Sequence, residues 1–206
     1  MFRLSSVRSS ALQLVSFVTL MSVAFTGLAS AQDQGEAPDM AAMMAAMTPG
    51  PHHKQLAEQA GSWKTTSRMW MEPGQPPVET EGTATMEVLL DGRFVQEVSK
   101  ATMMGMPWEG RGIFGYDNSS KKHIGTWFDS FGTMIMNFEG TCDGTCDVVT
   151  LNSTYYDPTS KKTKVMKSVS TTKSDDLVLT ELFEVVDGKE TKIMEISYER
   201  EGQAKR

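Results

Sequence analysis

From residue 62 to residue 200 apolar and polar side chains alternate with a period of two, the signature of strands with one face turned inward. The runs predict ten strands, at 62–71, 79–90, 92–101, 107–116, 121–129, 132–140, 146–156, 162–172, 176–186 and 190–200. The breaks between them carry turn chemistry. Asp91-Gly92 and Asp187-Gly188 are tight hairpin dipeptides. Asp117-Asn118, Ser130-Phe131-Gly132 and Asp157-Pro158-Thr159-Ser160 suit ordinary turns. Consecutive strands joined by short turns, with no helix between, predict an all-β, up-and-down antiparallel barrel of about ten strands, closed so that no edge is left unpaired. One short helix precedes it: in His52–Ala60 (HHKQLAEQA), Pro51 suits the first turn and Gly61 the left-handed position past the end.

The centre of the pattern is Gly110–Glu139 with its flanks. One face carries Trp108, Phe114, Tyr116, Trp127, Met134, Met136 and Phe138; the other mixes Glu109, Arg111 and Ile113 with Ile124, Thr126, Phe128, Thr133, Ile135 and Asn137. Apolar residues on both faces fit a sheet curved around an interior. Gly110–Gly115 spells G-x-G-x-x-G, but the next residues, Tyr116-Asp117-Asn118-Ser119-Ser120, form a turn where a dinucleotide site needs a helix. These glycines mark bends or close backbone approach.

The amino-terminal pattern is different. Arg3 and Arg8 precede an apolar stretch, Ala11–Ala24, and Ala29-Ser30-Ala31 forms an A-x-A site. This predicts a secretion signal over 1–31, cleaved between Ala31 and Gln32. Its apolar run, interrupted by Ser16, Thr19 and Ser22, is too short for a good membrane span. The expected organisation is then a Met/Ala-rich linker at 32–48, a single barrel domain at 49–201 and a tail at 202–206, in a periplasmic or secreted protein. The net charge is −6, and −8 from Gln32 onward because Arg3 and Arg8 are lost and no acid precedes Asp33. That acidity argues against nucleic acid and anionic membrane surfaces as partners.

Candidate chemistry falls in four places. Met40, Met43, Met44 and Met47 recur at helical spacing, as a packing stripe or as thioether ligands for Cu(I). Neighbouring His52 and His53 would diverge by about 100° on a helix and cannot readily share one metal. Cys142-Asp143-Gly144-Thr145-Cys146 predicts a disulfide across a hairpin in an oxidising compartment; its C-x3-C spacing departs from redox and zinc-knuckle motifs. Finally, Trp63, Arg93, Trp108, Glu109, Arg111, Tyr116, His123, Trp127, Asp129, Met134 and Met136 are candidates to line a ligand site of aromatic walls and a few charges. The competing reading makes the aromatics barrel filling and the charges cross-strand pairs. His123 and Asp129 lie six apart on one strand, about 20 Å, so they form no acid–base pair. No G-x-S-x-G, H-E-x-x-H or P-loop occurs, and no catalytic residues are assigned.

Gly61-Ser62-Trp63 on the first strand and Tyr198-x-Arg200 on the last resemble lipocalin-like barrels, in which a G-x-W tryptophan packs near a basic residue from the closing strand. A wider series runs in order: Pro49-Gly50-Pro51-His52, Met71-Glu72-Pro73-Gly74, Gly92-Arg93-Phe94, Gly105-Met106-Pro107, Gly115-Tyr116-Asp117, Thr126-Trp127-x-Asp129, Gly188-Lys189-Glu190 and Met194-Glu195-Ile196-x-Tyr198-x-Arg200. Over about residues 48–200 the chain resembles the bacterial domain-of-unknown-function family 1579. The resemblance implies a calycin-like β-barrel and no activity. The related nitrobindin-like barrels bind haem through a histidine on a late strand. This chain has no histidine after His123, so no cofactor is expected. The leading expectation is non-enzymatic binding of a small, mostly apolar ligand inside the barrel. The alternatives are an envelope interaction or structural protein with a packed barrel, and Met-based Cu(I) handling. Oligomeric state is left open.

Overall fold

A computed structural model describes residues 39–72 and 74–202. The expected signal, with its cleavage position at Ala31 and Gln32, lies outside the described residues. Among the described residues the chain forms two short helices, α1 (Met40–Met47) and α2 (Pro51–Ala57), and ten strands: β1 (Gly61–Met69), β2 (Val78–Leu89), β3 (Phe94–Met103), β4 (Met106–Asp117), β5 (Lys122–Asp129), β6 (Met136–Cys142), β7 (Val148–Asp157), β8 (Lys162–Ser174), β9 (Leu177–Val186) and β10 (Lys189–Arg200). Each strand pairs antiparallel with the next, and β1 pairs with β10, so the sheet closes into the up-and-down barrel that the alternation predicts. No helix among the described residues is long and apolar enough to cross a membrane.

Register decides which side chains face inward. Ser99 sits opposite Gly110, Glu97 opposite Gly112, and Gly112 in turn opposite Trp127. Successive inward positions are two apart along each strand, so β3 turns Val95, Glu97, Ser99, Ala101 and Met103 inside. Gly110 and Gly112 make the space that the large rings on this side occupy. A Cβ at Gly112 would sit 2.6 Å from the Phe114 ring and 2.8 Å from the Trp127 indole. A Cβ at Gly110 would collide with Trp127 as well.

One end of the barrel is plugged. Helix α2 lays Leu56 against a core of Trp63, Ala84, Met86, Val95, Val178 and Tyr198. Trp63, 1% exposed, donates from its indole Nε1 to Gln59 O at 3.0 Å. The Arg200 guanidinium lies 4.1 Å from the Trp63 ring centroid, a cation over an indole face. The same guanidinium donates to Glu58 O, Ala60 O and Asp175 O at 2.9, 2.7 and 2.9 Å. It thereby satisfies carbonyls left over at the end of α2 and seals the seam between the first and last strands. Gly61 allows this approach: its φ is +138°, and a Cβ there would lie 2.8 Å from Arg200 Nη1.

Several boundaries differ from the sequence pattern. Leu90, Asp91 and Gly92 all take positive φ, so Leu90–Arg93 forms a four-residue loop and β3 starts at Phe94, two residues late. A two-residue turn falls instead on Met104-Gly105, where φ is 50° and 77°. Strand β6 starts at Met136, because Asp129 Oδ1 accepts from Phe131 N at 2.9 Å and folds the chain into a loop over 130–135. Met134, a candidate to line the ligand site, is exposed in that loop.

Candidate functional site

The closed barrel holds a cavity of about 530 Å³. Its walls are apolar over most of their extent. Met69, Trp70, Met103, Trp108, Trp127 and Met136 lie toward the end opposite α2, and Leu56 of α2 reaches the other end. Trp108 and Trp127 stack with centroids 6.3 Å apart and planes 29° apart, a geometry that Gly110 and Gly112 permit. Trp127 Nε1 donates to Asp129 Oδ2 at 3.3 Å, which fixes the ring.

Deeper toward α2 the wall carries one polar group of three. Glu97, 6% exposed, accepts at Oε1 from Ser99 Oγ at 2.6 Å and from Tyr198 OH at 3.2 Å. Burial pushes the Glu97 carboxyl above the usual carboxylate range; the two hydrogen bonds oppose this without cancelling it. Burial, and then the Glu97 carboxyl, push the Tyr198 phenol well above its ordinary value. Both shifts favour the neutral forms, leaving a hydroxyl- and carboxyl-bearing spot in an apolar chamber. Parity alone places Glu97 inside, yet Glu97, Ser99 and Tyr198 escape a search for conspicuous aromatic and charged residues.

The candidates from the sequence separate into groups. Trp108, His123, Trp127, Asp129 and Met136 are brought to the cavity wall. Trp63 is core beneath α2, and Tyr116 stacks on His52 at 4.1 Å. Arg93 lies outside, donating to Leu90 O and, at 3.3 Å, to Met47 O at the end of α1. Glu109 and Arg111 face outward as an ion pair 2.7 Å apart, and the Arg111 hydrogen bond holds the Glu109 carboxyl below its usual range. Met40, Met43, Met44 and Met47 are all exposed on α1, whose last carbonyls Asn118 Nδ2 caps by donating to Ala45 O, Ala46 O and Thr48 O.

Two further clusters emerge. Across β7, β8 and β9, Lys164 Nζ lies 2.7 Å from Asp157 and 2.8 Å from Glu184, and Tyr155 OH donates to Glu184 at 2.7 Å. Hydrogen bonding to Lys164 holds Asp157 far below the usual range, while burial and Glu184 push Tyr155 up to about 12. At the plugged end, His52, His123, Cys142 and Cys146 each bring a ligand-type atom within 4.8 Å of the others. Cys142 and Cys146 are at disulfide distance, with Cα atoms 4.8 Å apart. His52 Nδ1 lies 3.3 Å from Cys146 Sγ and 4.0 Å from Cys142 Sγ. His123 is 3% exposed, and its Nε2 has no hydrogen-bond partner among the described residues. Burial first, then His52 and His53, pull the His123 imidazole down to about 4. Spacing along the chain conceals this cluster, since Cys142 and Cys146 follow His52 by 90 and 94 residues.

The family described as "Protein of unknown function (DUF1579)" matches residues 48–200. Among solved structures, the one titled "Crystal Structure of Rv2717c from M. tuberculosis" is similar, with 16% identity and a TM-score of 0.55 over 75% of this chain and 100% of that chain. At that identity the likeness speaks to the fold alone. No curated protein matches the chain.

Proposed function

Because the chain belongs to the DUF1579 family of proteins of unknown function, a membership that brings no activity with it, we propose a function from the cavity: the protein binds a small, mostly apolar ligand inside its barrel, without catalysing a reaction on it. The observation that carries this reading is a mostly apolar chamber of about 530 Å³ with a buried, hydrogen-bonded group of Glu97, Ser99 and Tyr198 on its wall. That volume is within the range of small-molecule sites and matches roughly 18 water volumes, which suits one small molecule. Walls of Met, Trp, Leu and Val favour the apolar body of the ligand, and the buried carboxyl and two hydroxyls favour one hydroxyl or carboxyl group on it. A packed-barrel structural role calls for a filled interior, and the chamber weighs against it.

Apolar side chains also stand exposed around the end opposite α2. Met71 follows β1, Met104 lies in the β3–β4 turn and Met106 just after it, and Phe131, Met134 and Ile135 lie between β5 and β6. Such a rim gives an apolar ligand a low-cost entry. Export is part of the proposal. It is supported by the n-region, apolar run and A-x-A site of residues 1–31 and by two cysteines at disulfide distance.

Native mass spectrometry of the protein purified without detergent tests the proposal. The expected result is a stoichiometric extra mass, lost when Trp108 and Trp127 are both replaced by Ala. A bare polypeptide mass, together with no uptake of a lipophilic fluorophore such as anilinonaphthalene sulfonate by the folded protein, would refute it.

A further inference from the structure

We propose that, when Cys142 and Cys146 are reduced, they and His52 and His123 form a tetrahedral site for a divalent cation of the zinc class. Two observations point to it independently. The first is composition and proximity: two sulfurs and two imidazoles, from α2, β5, the end of β6 and the loop before β7, have ligand-type atoms within 4.8 Å of one another. An S2N2 set with these donors is the tetrahedral zinc type. With metal–sulfur distances near 2.3 Å and metal–nitrogen distances near 2.0 Å, such a site has edges of about 3.3–3.8 Å. The 3.3 and 4.0 Å separations of His52 Nδ1 from the two sulfurs already approach these edges.

The second observation is His123. Its Nε2 is buried and has no partner among the described residues, a costly condition for a polar atom that binding a cation would relieve. The surroundings hold the donors in place. Tyr116 stacks on the His52 ring at 4.1 Å, and Gln55 Nε2 donates to Cys146 O at 2.8 Å. Cys146 has a φ of 57°, unusual for a residue with a side chain.

Disulfide and metal site are two states of one cysteine pair. Reduction by a dithiol breaks the S–S bond: two electrons and two protons pass to Cys142 and Cys146, and the dithiol leaves as its own disulfide. The cation then displaces both thiol protons, and two thiolates with two neutral imidazoles make a site of zero net charge. A protein disulfide accepting two electrons reverses the reduction and expels the cation. Since His52 belongs to α2 and the other ligands to the barrel, occupancy pins the plug to the wall at the closed end of the cavity.

Cobalt(II) is the probe. The full chain is reduced with a phosphine under anaerobic conditions, freed of reductant and titrated with Co²⁺. The expected result is one Co²⁺ per chain, with intense tetrahedral d–d bands and a thiolate-to-cobalt charge-transfer band. Both should be abolished by added Zn²⁺ or by reoxidation. His52→Ala and His123→Ala, checked for folding by far-ultraviolet circular dichroism, should weaken binding by more than about tenfold, the size of effect that even outer-sphere partners have. The quadruple change of Met40, Met43, Met44 and Met47 to Leu should leave the spectrum unchanged. The proposal is overturned if the reduced wild-type chain binds no cobalt, binds it without the thiolate band, or keeps its affinity in folded His52→Ala and His123→Ala. The wild-type spectrum decides the matter even if a variant fails to fold.

Discussion

Replacing Glu97 by Gln should stabilise the protein above the carboxylate range, by an amount that grows with pH. Glu97 is 6% exposed and has two donors, Ser99 Oγ and Tyr198 OH, both on the same oxygen. Burial outweighs those bonds and raises its pKa in the fold. The unfolded carboxyl releases its proton near ~4.3, while the folded one keeps it to higher pH, so in between the folded state holds more protons. Stability from this group is therefore complete below the unfolded pKa and is lost as pH rises toward the folded pKa. The slope is about 1.4 kcal/mol for each pH unit between the unfolded and the folded pKa. Gln cannot ionise, keeps a carbonyl for Ser99 and Tyr198, and has the shape of the neutral acid. Urea unfolding, followed by tryptophan fluorescence in steps from about pH 4 to about pH 8, measures the difference. Contributions from every other titrating group cancel between variant and wild type unless they contact Glu97. The stability of the Glu97→Gln variant minus that of the wild type should be flat at the acid end, climb with the stated slope and level off once the folded pKa is passed. A difference that is constant with pH, or that falls as pH rises, would show that Ser99 and Tyr198 satisfy the carboxylate and that the chamber is not as apolar as its walls suggest.

Three other perturbations follow from the same contacts. Arg200→Ala should cost about 2–4 kcal/mol in urea unfolding, because it removes the cation over Trp63 and three charge-assisted bonds; Arg200→Lys should recover only part, since an ammonium cannot reproduce the fork. Gly112→Val places branched carbon against the Phe114 and Trp127 rings, so it should cost about 1–3 kcal/mol, shift the tryptophan emission and abolish ligand capture in the native mass spectrum. Asn118→Ala removes the cap on α1 and should speed proteolysis within residues 40–48, while barrel stability changes by less than ~0.5 kcal/mol.

The alternation between residues 62 and 200 was enough for the number of strands, their order and which residues share a face, because the period of two is a local property of extended backbone. Turn residues were less decisive. Asp187-Gly188 spans its hairpin as expected, but Asp91-Gly92 sits in a longer loop, because left-handed backbone extends to Leu90 and a turn type depends on the strands it joins. The Gly61, Trp63 and Arg200 seal was legible as a pattern. That Arg200 also caps the end of α2 was not, since those carbonyls come into reach only when β10 meets β1.

Chemistry depended most on closure. Trp108 and Trp127 could be placed on one common face from the sequence. Whether the interior is filled depends on the summed volumes of side chains from ten strands and on the radius the sheet adopts, and neither is a local quantity. Outward-facing Glu109 and Arg111 looked as conspicuous as Trp108, because composition does not say which face of a curved sheet lies inside. His52, His123 and the Cys142–Cys146 pair come from three separate places in the chain with no motif spacing between them; the docking of α2 and the pairing of β5 with β6 bring them together. Local backbone preference therefore wrote the strands into the sequence, while the cavity, its buried carboxyl and the sulfur–imidazole cluster exist only because a closed sheet carries residues far apart in the chain to within bonding distance.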